Sequence, residues 1–385
     1  MIGEPVGVMS AAVHASISGQ VVDCQPCILA NGTQQMCVII DNDFKDEWVP
    51  LTPVANPESM TVQELSDLAR RMGIVGLGGA TFPTAVKLNV PAGKKVDTLV
   101  LNGAECEPYL SADHRLMLEH AEQIVSGARI IQKVLGIERV MIGIEDNKPD
   151  AVESMRKACE KYGEFSVTAL KTKYPQGGEK QLVYALTGRT VKMGGLPLDI
   201  GVVVCNVGTC HALCRAAYEG RPIVDRVVTV GGCVEKPANY LVRIGTPVEW
   251  LLDTSKGLLP ETKMLIYGGP MMGMAISRED IPVTKGCSGI LALDKLGALA
   301  DESPCIRCAR CMNACPMHLA PAAIDRAVRK DLFEAAEKLN ALNCIECGAC
   351  TFSCPAKRNL TQSCRVAKRI ITQRRKEAAA KKGAH

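Results

Sequence analysis

The chain has 385 residues, 47% of them hydrophobic and 22% charged, which is enough for about two to four domains with apolar cores. Its net charge of +4 is too small to indicate a nucleic-acid partner, and no apolar run is long enough to span a bilayer. Nineteen cysteines without a signal peptide indicate the reducing cytoplasm rather than a secreted disulfide protein.

Residues 1–50 are expected to be part of a larger β domain. Residues 14–22 alternate around Gly19, which predicts a β-hairpin turning at that glycine, and residues 36–40 predict a further strand. A hairpin alone is marginally stable in water, so these strands must pack on others. Cys24 and Cys27 form a C-x2-C pair, which is weak evidence for redox or metal chemistry without a β-α-β context.

Residues 51–222 alternate helices with buried strands, which predicts a β/α layer domain around a mostly parallel sheet. The expected helices cover residues 61–72, 113–135, 149–162, 178–186 and 209–218, and the expected strands cover residues 96–101, 140–144, 167–170 and 201–204. Thr61 and Glu64 predict a capping box at the first helix. Ligands of such sheets bind at the carboxyl ends of strands, so residues 102–107 and 206–209 are candidate binding segments.

A glycine-rich run, Gly76-Leu-Gly-Gly-Ala80, follows the first helix. A dinucleotide fingerprint requires a strand before the glycines, so the ordinary Rossmann argument is weak here. Bare backbone amides can still approach a phosphate, with Lys87 as a nearby cation. The alternative is a tight turn between two elements.

Residues 223–275 predict a compact β-grasp domain, with strands near residues 226–234, 240–243 and 264–267 and a short helix near 247–252. Residues 280–294 then lead into the cysteine-rich part of the chain. The C-terminal residues 365–382 are rich in Lys and Arg. This tail suits an acidic partner or an anionic membrane surface, or it is simply a solvated helix.

Two cysteine runs dominate residues 276–385. They are Cys305-x2-Cys308-x2-Cys311-x3-Cys315-Pro and Cys344-x2-Cys347-x2-Cys350-x3-Cys354-Pro. In this pattern, which is typical of paired [4Fe-4S] clusters, the fourth cysteine of each run binds the other cluster. We therefore expect Cys354 to complete the first cluster and Cys315 the second. Zinc and disulfides fit the spacing poorly, and the apolar spacing at residues 321–343 predicts an α-helical ferredoxin-like module.

The other cysteines are interpreted as small buried apolar side chains. Cys205, Cys210 and Cys214 surround Asn206 and His211, so a third metal site is the weaker alternative there.

Taken together, these motifs resemble the C subunit of the Rnf electron-transport complex over essentially the whole chain. The resemblance is carried by the double cysteine run and by Gly76-Leu-Gly-Gly-Ala-Thr-Phe-Pro-Thr84, Asn102-Gly-Ala-Glu-Cys-Glu-Pro-Tyr109, Ala112-Asp-His-Arg-Leu-Met-Leu-Glu119, Tyr174-Pro-Gln-Gly-Gly-Glu-Lys-Gln181 and Asn206-Val-Gly-Thr209. The middle of the chain is also similar to the NADH-binding flavoprotein subunit of respiratory complex I.

The resemblance implies a multidomain α/β protein. Its domains would be a partial N-terminal barrel-sandwich hybrid (residues 1–50), a Rossmann-like β/α FMN/NADH domain (51–222), an SLBB β-grasp domain (223–275) and an α-helical ferredoxin-like domain with two [4Fe-4S] clusters and a basic tail (276–385).

The implied cofactors are FMN, NAD(H) and the two clusters. The resemblance places Gly76, Gly78, Gly79 and Ala80 around FMN and the phosphates, with Phe82 near the nucleotide, Lys87 and Asn102 on the flavin nucleotide, Glu105 and Glu107 on the NADH side, Tyr174 and Glu179 opposite them, and Asn206 and Thr209 closing on FMN. No side chain is implied as a catalytic acid or base. Leu77 and Gly208 replace an Arg and a Glu of complex I, so part of this contact network is expected to differ.

The implied function is that of a peripheral subunit, on the cytoplasmic side of the cell membrane, in an ion-translocating ferredoxin:NAD oxidoreductase. Its partners would be the A, B, D, E and G subunits of the Rnf complex, together with NADH and, indirectly, ferredoxin. One alternative is a cobalamin reductase of the propanediol-utilisation type. The other is a polyferredoxin-like electron carrier without flavin.

Overall fold

The computed structural model describes residues 1–91, 93–294 and 301–383. The chain divides into two compact units, Met1–Asp294 and Lys295–His385, and each is described by itself. Among the described residues, no helix combines the length and apolar character needed to cross a membrane.

The first unit contains most of the regular structure. Its helices are α1 (Val62–Arg71), α2 (Thr84–Leu88), α3 (Ala112–Glu119), α4 (Ala121–Leu135), α5 (Pro149–Cys159), α6 (Glu179–Thr187), α7 (Val207–Cys214) and α8 (Val248–Thr254). Its strands are β1 (Gly19–Ile28), β2 (Gln34–Asn42), β3 (Thr98–Gly103), β4 (Arg139–Glu145), β5 (Phe165–Leu170), β6 (Val202–Asn206), β7 (Asp225–Gly232), β8 (Ala238–Arg243), β9 (Met264–Tyr267), β10 (Met274–Ile276) and β11 (Gly289–Leu293).

The N-terminal strands β1 and β2 form an antiparallel hairpin, but the predicted turn at Gly19 is wrong. The turn lies at residues 29–33, where Asn31 accepts from the Thr33 amide and Gly32 adopts a φ of 77°. Gly19 instead begins β1 beside its partner strand. A Cβ on it would stand 1.9 Å from the carbonyl oxygen of Asp41, so this glycine permits a close approach of two backbones.

The central sheet has the strand order β5-β4-β3-β6, and all of its neighbouring strands are parallel. One face is covered by apolar side chains of α4, α5 and α7, and Leu182 and Val183 of α6 pack on the other face. Burial on both faces explains why these strands are almost continuously apolar. The prediction of a mostly parallel sheet is confirmed.

Helix boundaries follow local signals. The capping box is present: the Glu64 amide donates to Thr61 Oγ1 and Glu64 Oε2 accepts from the Thr61 amide. The single helix expected over residues 113–135 is wrong, because the chain breaks at His120, with φ −131° and ψ 29°, and continues as α4.

The second sheet of this unit has the strand order β10-β9-β11-β7-β8. Its strand β11 pairs parallel with β7 and antiparallel with β9. The sheet therefore extends past residue 275, the predicted end of the β-grasp domain. Isolated short apolar runs do not reveal which sheet they join, since that pairing is a long-range contact.

The second unit is helical, and no strand occurs in its described residues 301–383. Its helices are α9 (Arg310–Asn313), α10 (Pro321–Val328), α11 (Phe333–Lys338), α12 (Ala349–Phe352) and α13 (Leu360–Gly383). Helix α10 packs on α13 through a small core that includes Ile324, Ala367 and Ile371. The expected α-helical module is confirmed, and the basic tail is a helix.

Candidate functional site

Two asparagines lie side by side at the carboxyl edge of the parallel sheet. Asn102 of β3 and Asn206 of β6 are register partners. Asn102 donates from Nδ2 to the Gly177 carbonyl (2.9 Å) and accepts from the Ala104 amide. Asn206 begins α7: its Oδ1 accepts from the Gly208 amide (2.9 Å), and its Nδ2 donates to Asp113 (2.7 Å). Both side chains are fixed at the edge where ligands of parallel sheets bind.

The glycine-rich loop sits directly against this edge. The Leu77 amide donates to Thr209 Oγ1 (3.0 Å), and a Cβ on Gly78 would stand 3.6 Å from the Asn206 side chain. Gly79 has a φ of 104°, and a Cβ on it would meet nothing within 4 Å. The loop thus presents exposed backbone to open space, as close approach of a phosphate or a flat ring requires.

Three other expected contacts flank the loop. Phe82, which follows the glycines, is 38% exposed. Lys87 donates to the Val204 carbonyl (2.9 Å) and pairs with Glu179 (3.1 Å). The Lys87 cation thus lies beside β6, in a partly exposed ion pair with Glu179.

Two acidic side chains lie together behind the edge. Glu105 accepts from the amides of Asp113 (2.8 Å) and His114 (2.9 Å), so it binds the N-terminus of α3. Burial, and then the negative charge of Asp113, raise the pKa of Glu105 to about 8. Burial also raises the pKa of Asp113. Lys148 approaches the pair and donates to the Ala104 carbonyl (2.9 Å).

Glu107 contacts the second sheet rather than open space. Its carboxylate accepts from the amides of Met271 and Met272, each at 2.9 Å, and from Tyr174. A Cβ on Gly269 would stand 2.4 Å from Glu107 Cδ, so the loop of residues 268–273 lies on this carboxylate. The structure thus brings Glu107 and Tyr174 into contact and covers Glu107 with that loop.

Sequence reasoning missed two residues that hold this site together. Asp113 bridges Asn206 to Glu105, and it stands within the motif of residues 112–119, so a signal existed. Arg226 of β7 is 7% exposed and donates to the carbonyls of Leu77 and Lys285, and so it fixes the glycine loop. A lone arginine in a strand carries no sequence signal of this role.

The cysteine runs of the second unit repeat one backbone path. Each cysteine of the second run follows its counterpart by 39 residues, as Cys344 follows Cys305. Left-handed residues recur at the same spacing, at Arg307 and Glu346, Ala309 and Gly348, and His318 and Lys357. Helices α9 and α12 repeat likewise. Two loops of one conformation are expected where each must wrap the same kind of cluster.

The sulfur positions suit exchange of the fourth cysteine between the runs. Cys315 lines a cavity together with Cys344, Cys347 and Cys350. Cys354 packs against a small cluster of Cys311, Cys350 and Leu360, while Cys305 and Cys308 are exposed.

Within the described residues, no three His, Cys, Asp or Glu side chains converge as a single metal ion requires. In a [4Fe-4S] cluster each thiolate binds a separate iron, so its four sulfur atoms need not converge on one point.

Cys364 is a fifth cysteine at the same cavity, and sequence reasoning treated it as an ordinary buried side chain. It is 1% exposed and lines the cavity beside Cys344. Its hydrogen bond with Cys344 is the main reason that the pKa of Cys344 falls to about 7. Three other cysteines, Cys205 of β6 and Cys210 and Cys214 of α7, are all buried.

Known protein families match four parts of the chain. The RnfC barrel sandwich hybrid domain matches residues 1–45, and the Nuo51 FMN-binding domain matches residues 69–215. The SLBB domain matches residues 227–275, and the 4Fe-4S dicluster domain matches residues 298–355.

Curated relatives extend over nearly the whole chain. It is 48% identical to the C subunit of the proton-translocating ferredoxin:NAD(+) oxidoreductase complex of Clostridium ljungdahlii, over 96% of this chain and 81% of that protein. It is 47% identical to the counterpart in the Na(+)-translocating complex of Acetobacterium woodii, over 97% and 86%. The C subunit of the ion-translocating oxidoreductase complex of Rhodobacter capsulatus is 41% identical over 97% and 73%.

Solved structures with a similar fold include the NAD+-reducing [NiFe]-hydrogenase in its H2-reduced state. The TM-score is 0.55 at 17% identity, over 77% of this chain and 58% of that one. The air-oxidized state gives 0.52 at 15% identity, over 78% and 61%. The chain spans less than two thirds of these solved chains, and at such identity they indicate a shared fold alone.

Proposed function

This chain belongs to the RnfC family, the C subunits of Rnf-type ferredoxin:NAD(+) oxidoreductase complexes, and from that premise we propose how its residues pass electrons between NAD(H) and iron–sulfur clusters. It is an electron-transfer subunit with an FMN-binding domain and a [4Fe-4S] dicluster domain. The relatives favour this function over a cobalamin reductase or a flavin-free carrier.

The observation that carries the proposal is the glycine loop packed against two asparagines at one sheet edge. When bound there, FMN exchanges two electrons with NAD(H) and single electrons with the clusters. The exposed backbone at Gly78, Gly79 and Ala80, together with Gly76 at the start of the loop, would hold the flavin nucleotide, with Asn102, Asn206 and Thr209 fixing its position. Lys87 would supply the cation for its phosphate.

We assign the NADH side to Glu105 and Glu107, with Tyr174 and Glu179 opposite them and Phe82 near the nucleotide. The loop of residues 268–273 covers Glu107, so a nucleotide that reaches this carboxylate must displace the Met271 and Met272 amides. Burial raises the pKa of both Glu105 and Asp113, so a proton retained on either carboxyl group would limit negative charge beside the dinucleotide.

The cysteines would bind the clusters across the two runs. Cys305, Cys308 and Cys311 with Cys354 would form one ligand set, and Cys344, Cys347 and Cys350 with Cys315 the other. Adjacent clusters held in this way form a path for single electrons.

Membership of a multi-subunit complex follows from the relatives. We propose further that the chain lies on the cytoplasmic side of the membrane and meets the A, B, D, E and G subunits. Electrons from reduced ferredoxin would arrive through those subunits and reduce NAD, while ions cross the membrane elsewhere in the complex.

The test is anaerobic reconstitution of the whole chain with iron, sulfide and FMN, followed by addition of NADH. We expect bleaching of the flavin absorbance together with EPR signals of reduced clusters. An Asn206→Ser chain, prepared in parallel, should bind both clusters but respond weakly to NADH. Two clusters with no flavin and no response to NADH in the unchanged chain would refute the proposal.

A further inference from the structure

The two halves of the cluster unit differ in the side chains next to their cysteines. The 39-residue repeat places Thr361 of α13 at the position of Ala322 in α10, and Cys364 at the position of Asp325. The positions correspond, but a hydroxyl replaces a methyl group and a thiol replaces a carboxylate. Each half therefore offers different hydrogen-bond donors to its sulfur atoms.

Thr361 directs a hydroxyl at Cys350. Its Oγ1 lies 3.5 Å from Cys350 Sγ and 2.8 Å from Thr351 Oγ1. The Thr361 amide donates to Thr351 Oγ1 (2.9 Å), so the Thr351 hydroxyl proton can be donated to Thr361. When Cys350 is a thiolate ligand it can only accept. The Thr361 hydroxyl proton must then point at sulfur, and Thr351 holds it in that orientation.

Cys364 adds a second donor at the same cavity. Its thiol lies on the cavity wall together with Cys344, whose Sγ accepts from the Glu346 amide at 3.3 Å. The side chain is enclosed by the core between α10 and α13. With Cys344 bound to iron as a thiolate, the S–H proton belongs to Cys364 and points at the ligand sulfur.

The counterparts in the first half are not such donors. Cys311 is approached by the backbone amide of Ala322, which has no hydroxyl. Asp325 carries no proton to donate, because Arg358 (2.6 Å), Arg329 (2.8 Å) and Ser363 (2.7 Å) bind its carboxylate. At these two pairs of corresponding positions, the side-chain donors therefore belong to one ligand set.

We propose that Thr361 and Cys364 are positioning residues that raise the reduction potential of the cluster bound by Cys315, Cys344, Cys347 and Cys350. Reduction adds negative charge that spreads onto the ligand sulfurs, and a hydrogen bond to sulfur is stronger in that more negative state. The reduced form is therefore favoured at this cluster. The inference rests on the proposed cluster ligation but is independent of the FMN and NADH sites.

The experiment is an EPR-monitored redox titration of the reconstituted whole chain and of two matched pairs of variants. Thr361→Val removes the hydroxyl at nearly constant volume, and Thr361→Ser retains it. Cys364→Ala removes the thiol donor, and Cys364→Ser supplies a hydroxyl instead.

We expect Thr361→Val and Cys364→Ala each to lower the midpoint potential of one of the two one-electron reductions. The expected shift is up to about 59 mV, which is about a tenfold change in the reduction equilibrium. The midpoint potential of the other reduction should not change, and the serine variants should titrate like the unchanged chain. In pulsed EPR, the coupling of an exchangeable deuteron to the cluster should be weaker in Thr361→Val than in the unchanged chain.

Iron and sulfide analysis separates the possible failures. If the unchanged chain binds fewer than two clusters, the proposed ligation is wrong. If both clusters are present and neither step moves in any variant, or both steps move equally, the positioning role is overturned. Should Thr361→Val fail to take up its cluster, the Cys364→Ala and Cys364→Ser pair decides by the same criterion.

Discussion

At the scale of single residues, some polar side chains of the first unit both stabilise a helix and adjoin the candidate site. Asn206 both begins α7 and faces the glycine loop, and Glu105 both caps α3 and adjoins the proposed nucleotide site. A substitution at such a position changes stability and ligand binding together. Matched variants that preserve one of the two contacts are therefore needed to separate the effects.

Asn206→Ala should cost about 1 kcal/mol in the free energy of unfolding, because the Gly208 amide loses its cap. Asn206→Ser should recover most of that stability, since serine is also a good cap, but should still bind FMN weakly without the amide. Urea unfolding and flavin retention after gel filtration measure the two effects. Equal flavin retention in Asn206→Ser and the unchanged chain would contradict the assigned contact.

Glu105 should make the folded state lose stability as pH rises. Its pKa is raised from 4.5 unfolded to about 8 folded, so the folded protein binds the proton more tightly. This contribution is complete below about pH 4.5 and is lost as pH rises toward 8. Glu105→Gln should flatten the fall in Tm between pH 5 and 8, whatever its absolute Tm. Parallel Tm curves for the two proteins would show that Glu105 does not titrate in this window.

At the scale of elements, close contact between α4 and α7 fixes the position of α7 beside the candidate site. A Cβ on Gly127 of α4 would stand 1.9 Å from the carbonyl oxygen of Cys210 in α7. The contact is between backbones, so no flexible side chain can move aside. Helix α7 carries Asn206 at its N-terminus and Thr209 in its first turn, so this packing also positions the glycine loop.

Gly127→Ala should therefore destabilise the chain by about 1–3 kcal/mol through overpacking and should weaken flavin retention as α7 shifts. Gly163→Ala is the matched control, because a Cβ there meets nothing within 4 Å and its φ is not left-handed. Urea unfolding of both variants gives the comparison. If the two substitutions cost the same, the close helix contact does not limit stability.

At the scale of the whole molecule, the chain keeps two kinds of chemistry in separate compact units. The first unit contains the parallel sheet, whose carboxyl edge is the candidate nucleotide site. The second unit contains the cysteine runs, and its core has few large apolar residues. For so small a core, cluster binding is expected to supply much of the folding free energy.

Crossed ligation can be tested by paired cysteine substitutions. If Cys315 serves the second run, Cys315→Ala with Cys347→Ala removes ligands of one cluster and leaves about four irons per chain. Cys315→Ala with Cys311→Ala then damages both clusters. Ligation within each run predicts the opposite order of iron contents. Iron analysis with EPR of the two double variants distinguishes them.

Spacing along the chain determined the local features: the capping box at Thr61, the paired cysteine runs and the asparagines near the carboxyl ends of β3 and β6. Each depends on residues a few positions apart, or on strands whose apolar pattern is continuous. The candidate site was largely predictable because ligands of a parallel sheet bind at the edge where its strands end.

Tertiary structure alone decided the long-range pairings. Examples are β11 in the second sheet, Glu107 under the loop of residues 268–273, Arg226 on the glycine loop and Cys364 beside Cys344. These contacts join residues far apart in sequence, and their selection depends on how whole sheets and helices pack. No local pattern of side chains encodes that choice.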